Sequence, residues 1–173
     1  MRLELDLCQV RSWRASDAEP VTRHANNRKV WINLRDVFPH PYSRADAEAF
    51  IRASLSETPE RSFAIVVDGE AAGGIGLTFR TDVERVSAEL GYWLGELYWG
   101  RGIATAAVRG VTRFAVESHG LTRVYALPFA WNPASCRVLQ KAGYALEGRL
   151  RRSAIKDGKI VDQLLYAYVA PAG

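Results

Sequence analysis

Apolar and polar residues alternate from the start of the chain: Leu3, Leu5 and Leu7 sit between polar neighbours, and the pattern runs on through Gln9 and Arg11. Residues 3 to 11 are therefore expected to form one strand. Ser16 stands where a helix cap belongs and opens a helical stretch to about Asn27. Trp31, Leu34 and Phe38 continue at near-helical spacing until "FPHPY" breaks the segment. Ser43, with Asp46 three residues on, has the layout of a capping box for a helix through about Ser54.

Period two returns in "SFAIVVDGEAAGGIGLTF", where Asp68-Gly69 between two apolar runs predicts a hairpin joining the second and third strands. The fourth strand, "VSAELGYWL", puts Val86, Ala88, Leu90, Tyr92 and Leu94 on one face and Ser87, Glu89, Gly91 and Trp93 on the other. Helical spacing follows over 103 to 118 through Ala104, Val108, Val111 and Ala115, with His119-Gly120 as the stop. A fifth strand, "RVYALPFAW", contains Pro128, which cannot donate to a ladder, so this strand should be unpaired or splayed along part of one side. Asn132-Pro133 opens a helix that runs to Gly143. "YALEGRLRRSAIKDGKIVDQLLYAYV" closes the chain as two strands turning at Asp157-Gly158. This order of strands and helices predicts an α/β fold in one domain over residues 1–173, with the last few residues frayed.

A chain of 173 residues that is 48% hydrophobic can bury one substantial core. The opening "MRLELDLCQV" lacks the basic-then-apolar layout of a signal peptide, and no apolar run reaches membrane-spanning length, so a soluble, cytoplasmic protein is expected. Cys8 and Cys136 lie far apart with no Cys/His cluster around them, which implies neither a disulfide framework nor a metal site. The net charge of +4 mildly favours anionic ligands and is not read as nucleic-acid binding.

The candidate chemistry starts at "YWGRGIATAAVRG", where Gly100, Arg101 and Gly102 stand between a strand and a helix. Glycine permits positive φ and close backbone approach, the first amides of the helix converge on one point, and the helix terminus adds partial positive charge there. Such a junction binds phosphate or serves only as a tight turn, and a bare glycine pair does not decide between them.

The segment "WGRGIA", set after "AELGYWL" and followed by a helix, a strand and "NPASCRVLQKAGY", resembles the GNAT N-acetyltransferase superfamily. It is most similar to the RimJ/RimL-like branch of ribosomal-protein N-terminal acetyltransferases. "PYSRADAEAFI", "EGRLR" and "DGKIVDQLLYAYV" extend the likeness over nearly the whole chain. The resemblance implies a mixed, mostly antiparallel twisted sheet of about seven strands, splayed between the fourth and fifth and flanked by about four helices. It implies acetyl-CoA as donor, no metal, no membrane or nucleic-acid partner, and an amine acceptor, with a homodimer left open. A protein N-terminal α-amine is the preferred acceptor. A small-molecule amine (polyamine, antibiotic or amino-acid-like) and a non-catalytic CoA-binding module are the alternatives.

The resemblance also carries over residue by residue. The family loop Q/R-x-x-G-x-G/A falls on Trp99, Gly100, Arg101, Gly102, Ile103 and Ala104, with Trp99 in place of the usual Gln or Arg. Trp93, Leu94, Thr105, Asn132, Ser135 and Arg137 complete the expected cofactor set. Leu94 matches a position where a bulge frees a backbone N–H for the thioester carbonyl, and the gap beside it takes pantetheine. Ser135 matches the general acid for the departing thiolate, and Asn132 either contacts pantetheine or only caps its helix. Glu89 is either the base that deprotonates the amine or an ordinary strand carboxylate. Trp31, Phe38, His40 and Tyr42 lie in the segment that lines the acceptor side in this superfamily, as rim or as packing residues. Cys136 reads as core, and His24, His40 and His119 have no partners at metal-ligand spacing.

Overall fold

The computed structural model describes residues 1–171, so the expected fraying of the C-terminal end falls in part outside the described residues. The elements run β1 (Arg2–Leu5), β2 (Cys8–Ser12), α1 (Ala18–Ala25), α2 (Arg28–Trp31), α3 (Arg44–Ser56), β3 (Ser62–Val67), β4 (Glu70–Phe79), β5 (Ser87–Leu94), α4 (Ile103–His119), β6 (Arg123–Ala126), α5 (Pro133–Lys141), β7 (Ala145–Lys156) and β8 (Lys159–Val169). All eight strands join one sheet in the order β1-β2-β3-β4-β5-β6-β8-β7. Every neighbouring pair is antiparallel except β5 with β6.

Three expectations need correction. Residues 3 to 11 are not one strand, because the chain reverses after Leu5 and pairs Leu5 with Cys8, which adds an eighth strand. Ser16 is not the cap of α1. It lies inside a 3-10 turn, and the Asp17 carboxylate takes the Arg14 amide at 2.8 Å while holding the buried Arg11 guanidinium through two contacts of 2.8 Å. The near-helical spacing from Trp31 to Phe38 does not make a helix, since α2 stops at Trp31 after one turn. The capping box at Ser43 and Asp46 forms. The turns at Asp68-Gly69 and Asp157-Gly158 both take positive φ at both residues, as two-residue hairpins of right-twisted strands require.

β3 shows why its run is apolar throughout. Phe63, Ile65 and Val67 face the larger core under α4 and α5, while Ala64 and Val66 face a second core with α1, α3, Trp13 and Tyr42. A central strand buried on both faces has no polar side to present. β5 divides in the same way: Ala88, Leu90 and Leu94 join the first core and Trp93 packs on the second. Gly74 makes room for Trp93, whose indole nitrogen lies 2.8 Å from where a Cβ would stand. β5 continues to Leu94, but its pairing with β6 ends at Glu89 and Tyr125, and β6 itself stops at Ala126, two residues before Pro128. The sheet is therefore open between β5 and β6, as the fold expectation required.

Candidate active site

The opening has a defined hydrogen-bond polarity. Arg80 donates its amide to Ser87 at one end of the β4–β5 ladder and Gly95 donates to Ala72 at the other, with an unbroken register between them. Bonded pairs alternate in an antiparallel ladder, so the odd residues of β5 point their amides at β4 and the even ones point away. Tyr92 and Leu94 thus direct their backbone N–H groups to the side where β6 has left, and neither donates to another backbone group among the described residues. The expected bulge at Leu94 is absent: the register slips instead between β3 and β4, at Ile65/Val66, leaving Ala72 without a partner on β3. Regular alternation and the end of β6 are enough to expose the Leu94 amide.

Below that opening, Trp99 donates its indole N–H to the Leu94 carbonyl at 2.7 Å and ties the following loop to the strand end. Gly100 (φ 74°) and Gly102 (φ 80°) take left-handed backbone, and Gly102 is the N-cap of α4 with no side-chain cap. Ala106 bonds to the Gly102 carbonyl, which leaves the amides of Ile103, Ala104 and Thr105 without a partner among the described residues. Three orphan donors and a helix dipole aimed at one point suit an anion. The Arg101 guanidinium lies 5.4 Å from the centre of the Tyr98 ring. Tyr98 in turn donates to Glu70 at 3.0 Å, where His24 Nε2 also binds at 2.8 Å.

Opposite Leu94, Asn132 accepts the Ser135 amide at 3.1 Å, so Asn132 caps α5, with Pro133 as its first residue. The Ser135 hydroxyl is 2.7 Å from the Tyr92 hydroxyl. Burial pushes the Tyr92 phenol well above its usual range, so it remains a neutral hydroxyl at working pH. Tyr92 did not stand out as chemistry in the sequence. The available signal was a hydroxyl on an otherwise apolar strand face.

A cleft of about 1040 Å³ runs through these parts, from Arg137, Lys141 and the α4 terminus, past Tyr92, Leu94 and Ser135, to Glu89, Arg35 and Phe38. Glu89 and Trp93 lie on the sheet face toward α1 and α3, whereas Tyr92 and Ser135 lie toward α4 and α5, so the cleft crosses the sheet at the gap. Trp93 lines the cleft from the far face, in edge contact with Phe38 at 5.5 Å. Cys136 is buried in the larger core.

Of the four aromatic acceptor-side candidates, Phe38 stands in the cleft wall. Trp31 and His40 do not: they stack on each other at 5.5 Å, and the buried Lys156 ammonium sits 3.7 Å from the Trp31 ring centre. Tyr42 touches the cleft but is 4% exposed, packed against Phe38 at 4.7 Å, with burial raising its phenol to about 12. Tyr42 packs in the second core, whereas Trp31 is half-buried and His40 exposed, both outside the cleft wall; α2 ends early, and the chain after it leaves the helical path. That chain brings charge instead. Arg35 pairs with Glu89, and Asp36 pairs with Lys156 at 2.8 Å. No group of three or more potential metal ligands occurs among the described residues, and no described helix is long and apolar enough to cross a membrane.

Residues 8–145 match the family model described as acetyltransferase (GNAT) domain. YoaA of Bacillus subtilis, an uncharacterized N-acetyltransferase, is 34% identical over 49% of this chain and 48% of its own length. The ribosomal-protein-serine acetyltransferase of Escherichia coli is 30% identical over 63% of this chain and 60% of its own. This chain thus spans between about half and three-fifths of those two relatives. Mycobacterium smegmatis RimJ, solved in complex with CoA-disulfide, superposes with a TM-score of 0.84 at 26% identity, covering 98% of this chain and 86% of that one.

Proposed function

The chain belongs to the acetyltransferase (GNAT) domain family, and on that footing we propose that it transfers an acetyl group from acetyl-CoA to a primary amine, with a protein N-terminal α-amine as acceptor. One observation carries the reading. The unpaired Tyr92 and Leu94 amides in the β5–β6 gap share a single cleft with the uncapped α4 terminus on one side and with Ser135 on the other. The residues fit a long anionic cofactor: the orphan amides of Ile103, Ala104 and Thr105 suit its pyrophosphate, and the open strand edge suits an extended amide-bearing arm.

Bound there, acetyl-CoA supplies a thioester whose carbonyl carbon the amine attacks. The Leu94 N–H donates to the carbonyl oxygen as negative charge develops on it. Glu89 accepts the proton released by the acceptor ammonium, which has a pKa near ~8 for an α-amine and must be deprotonated to react. The Ser135 hydroxyl, held in place by Tyr92, would give its proton to the thiolate as the carbon–sulfur bond opened and would recover one, through solvent in the cleft, from the nitrogen of the newly bonded amine. A protein acceptor is supported by the Escherichia coli relative, which is named for a ribosomal protein, and by an acceptor mouth open between the α2–α3 connection and the β7–β8 hairpin.

Incubation with acetyl-CoA and a panel of peptides and small amines, read by mass spectrometry, tests the function. Acetylation at peptide N-termini is expected. Binding of acetyl-CoA without turnover on any amine would overturn catalysis, and turnover on small amines alone would overturn the protein acceptor. Ser135→Ala should lower kcat by roughly 10²-fold, the usual worth of one acid–base group, with CoA affinity retained.

A further inference from the structure

The charges around the acceptor mouth are already arranged in pairs. Lys29 is neutralised by Glu96, Arg28 by Asp157, Lys156 by Asp36, and Glu89 by Arg35. Lys159 lines the same cleft, is exposed, and has no carboxylate within ion-pair distance among the described residues. The Arg35 side chain is 64% exposed and that of Glu89 is 21% exposed, so their contact is held on the solvent side and can be exchanged cheaply. Arg35 also belongs to a connection without regular structure, between α2 and α3, whose next residue is anchored by Lys156.

Resting on the reading of Glu89 as the carboxylate that receives the acceptor ammonium, we propose that Arg35 is a specificity-determining residue. In the free protein Arg35 occupies Glu89 as a stand-in for that ammonium. An arriving amine takes the carboxylate and releases a guanidinium at the mouth, where Lys159 is already unpaired. Two cations then face the part of the acceptor just beyond its amine. The acceptor class that fits is a primary amine followed within a few bonds by carboxylates, and on this protein that means an N-terminus with acidic side chains at its second or third position. A polycationic amine is disfavoured, because it meets Arg35 and Lys159 as it enters.

Peptides identical except for acidic, neutral or basic residues at positions two and three provide the test, with glutamate, spermidine and ethanolamine as small-amine arms. The acidic peptide should exceed the basic one in kcat/KM by about tenfold at low salt, two exposed contacts contributing a few-fold each, and the gap should narrow as salt is raised. Arg35→Gln and Lys159→Glu should each close the gap between acidic and basic peptides by a few-fold with the acetyl-CoA Kd little changed, and Arg35→Gln should in addition lower KM for the neutral peptide, because every amine is relieved of the same competitor for Glu89. Equal rates on acidic and basic peptides, or an unchanged ratio in both variants, overturn the inference and leave the peptide acceptor standing. Turnover of spermidine with no peptide acetylated overturns both. A preference for glutamate over every peptide keeps the charge logic and rejects the protein N-terminus.

Discussion

One wall of the cleft is built from backbone and the other from side chains. On the proposed cofactor side the donors are amides, placed by a regular ladder, by two glycines at positive φ and by the first turn of α4. On the proposed acceptor side the fixed points are ion pairs that join residues 54, 120 and 129 positions apart: Arg35 with Glu89, Asp36 with Lys156, and Arg28 with Asp157. A wall of amides tolerates changes of side chain and responds only to changes of conformation. A wall of paired charges responds to any single substitution, and can be rewritten for another acceptor without disturbing the sheet.

The largest expected effect comes from breaking the backbone wall. Gly102→Val forces a β-branched residue to φ 80°, with its Cβ 3.2 Å from Leu7 Cδ1. Left-handed backbone costs roughly 1–2 kcal/mol in a non-glycine residue; the free loop sheds that cost by leaving the conformation and takes it up again on binding, so acetyl-CoA affinity should fall by about fivefold to thirtyfold by calorimetry. Gly100→Ala has nothing within 4 Å of its Cβ and bears the φ cost alone, so it should lose less. Arg101→Ala should cost less again, because the amides remain and the guanidinium rests over Tyr98. If Arg101→Ala cost more than Gly102→Val, the backbone description of this wall would be wrong.

The acceptor wall should yield to a change that leaves conformation alone. Asp36→Asn removes the carboxylate partner of Lys156, whose side chain is 1% exposed, and leaves its ammonium against the Trp31 ring face. Breaking a fully buried pair costs about 3–5 kcal/mol. Asp36 is 69% exposed, so water can reach part of the site, and about 1–2 kcal/mol is the expected loss in urea unfolding. Acceptor KM should rise a few-fold while the acetyl-CoA Kd holds. Lys156→Met, which buries no charge, should recover most of the stability and none of the KM. Equal loss of cofactor and acceptor binding in Asp36→Asn would merge the two walls into one unit.

The same division decides what the sequence showed. The backbone wall rests on local rules: glycine before a helix, Asn-Pro at a helix start, alternation along β5, and Asp-Gly at both hairpins. Each reads correctly from a few neighbouring residues. The eighth strand escaped because the turn at Asp6-Leu7 carries no glycine or proline to mark it. The acceptor wall depends on which distant segments meet, and no local pattern encodes that. Trp31, His40 and Tyr42 drew notice as aromatics, but their neighbours Arg35 and Asp36 make the contacts across the mouth. The alternation along β5 puts Tyr92 on its correct face, yet its meeting with Ser135 joins a strand and a helix 43 positions apart.

The smallest effect concerns an ionic cluster beside the glycine loop. Glu70 receives His24, Tyr98 and Arg23, and the His24 hydrogen bond is the first cause holding its carboxyl below the ordinary range. A carboxyl that is more acidic when folded stabilises the fold above its unfolded pKa of about 4.3, and that contribution is lost as pH falls through the lower folded value. The Glu70 side chain is 36% exposed, so solvent screening keeps the contribution under about 1 kcal/mol. Because Tyr98 lies between Glu70 and Arg101, the same protonation should loosen the loop, and acetyl-CoA affinity should weaken as pH falls through the lowered folded value of Glu70, beyond what the cofactor's own titration explains. Glu70→Gln should shift Kd by no more than about twofold at neutral pH and should lose that excess acid dependence. If the wild-type and Glu70→Gln profiles coincide throughout the acid limb, the loop stands on its glycines and amides alone, and the contrast between the two walls becomes complete.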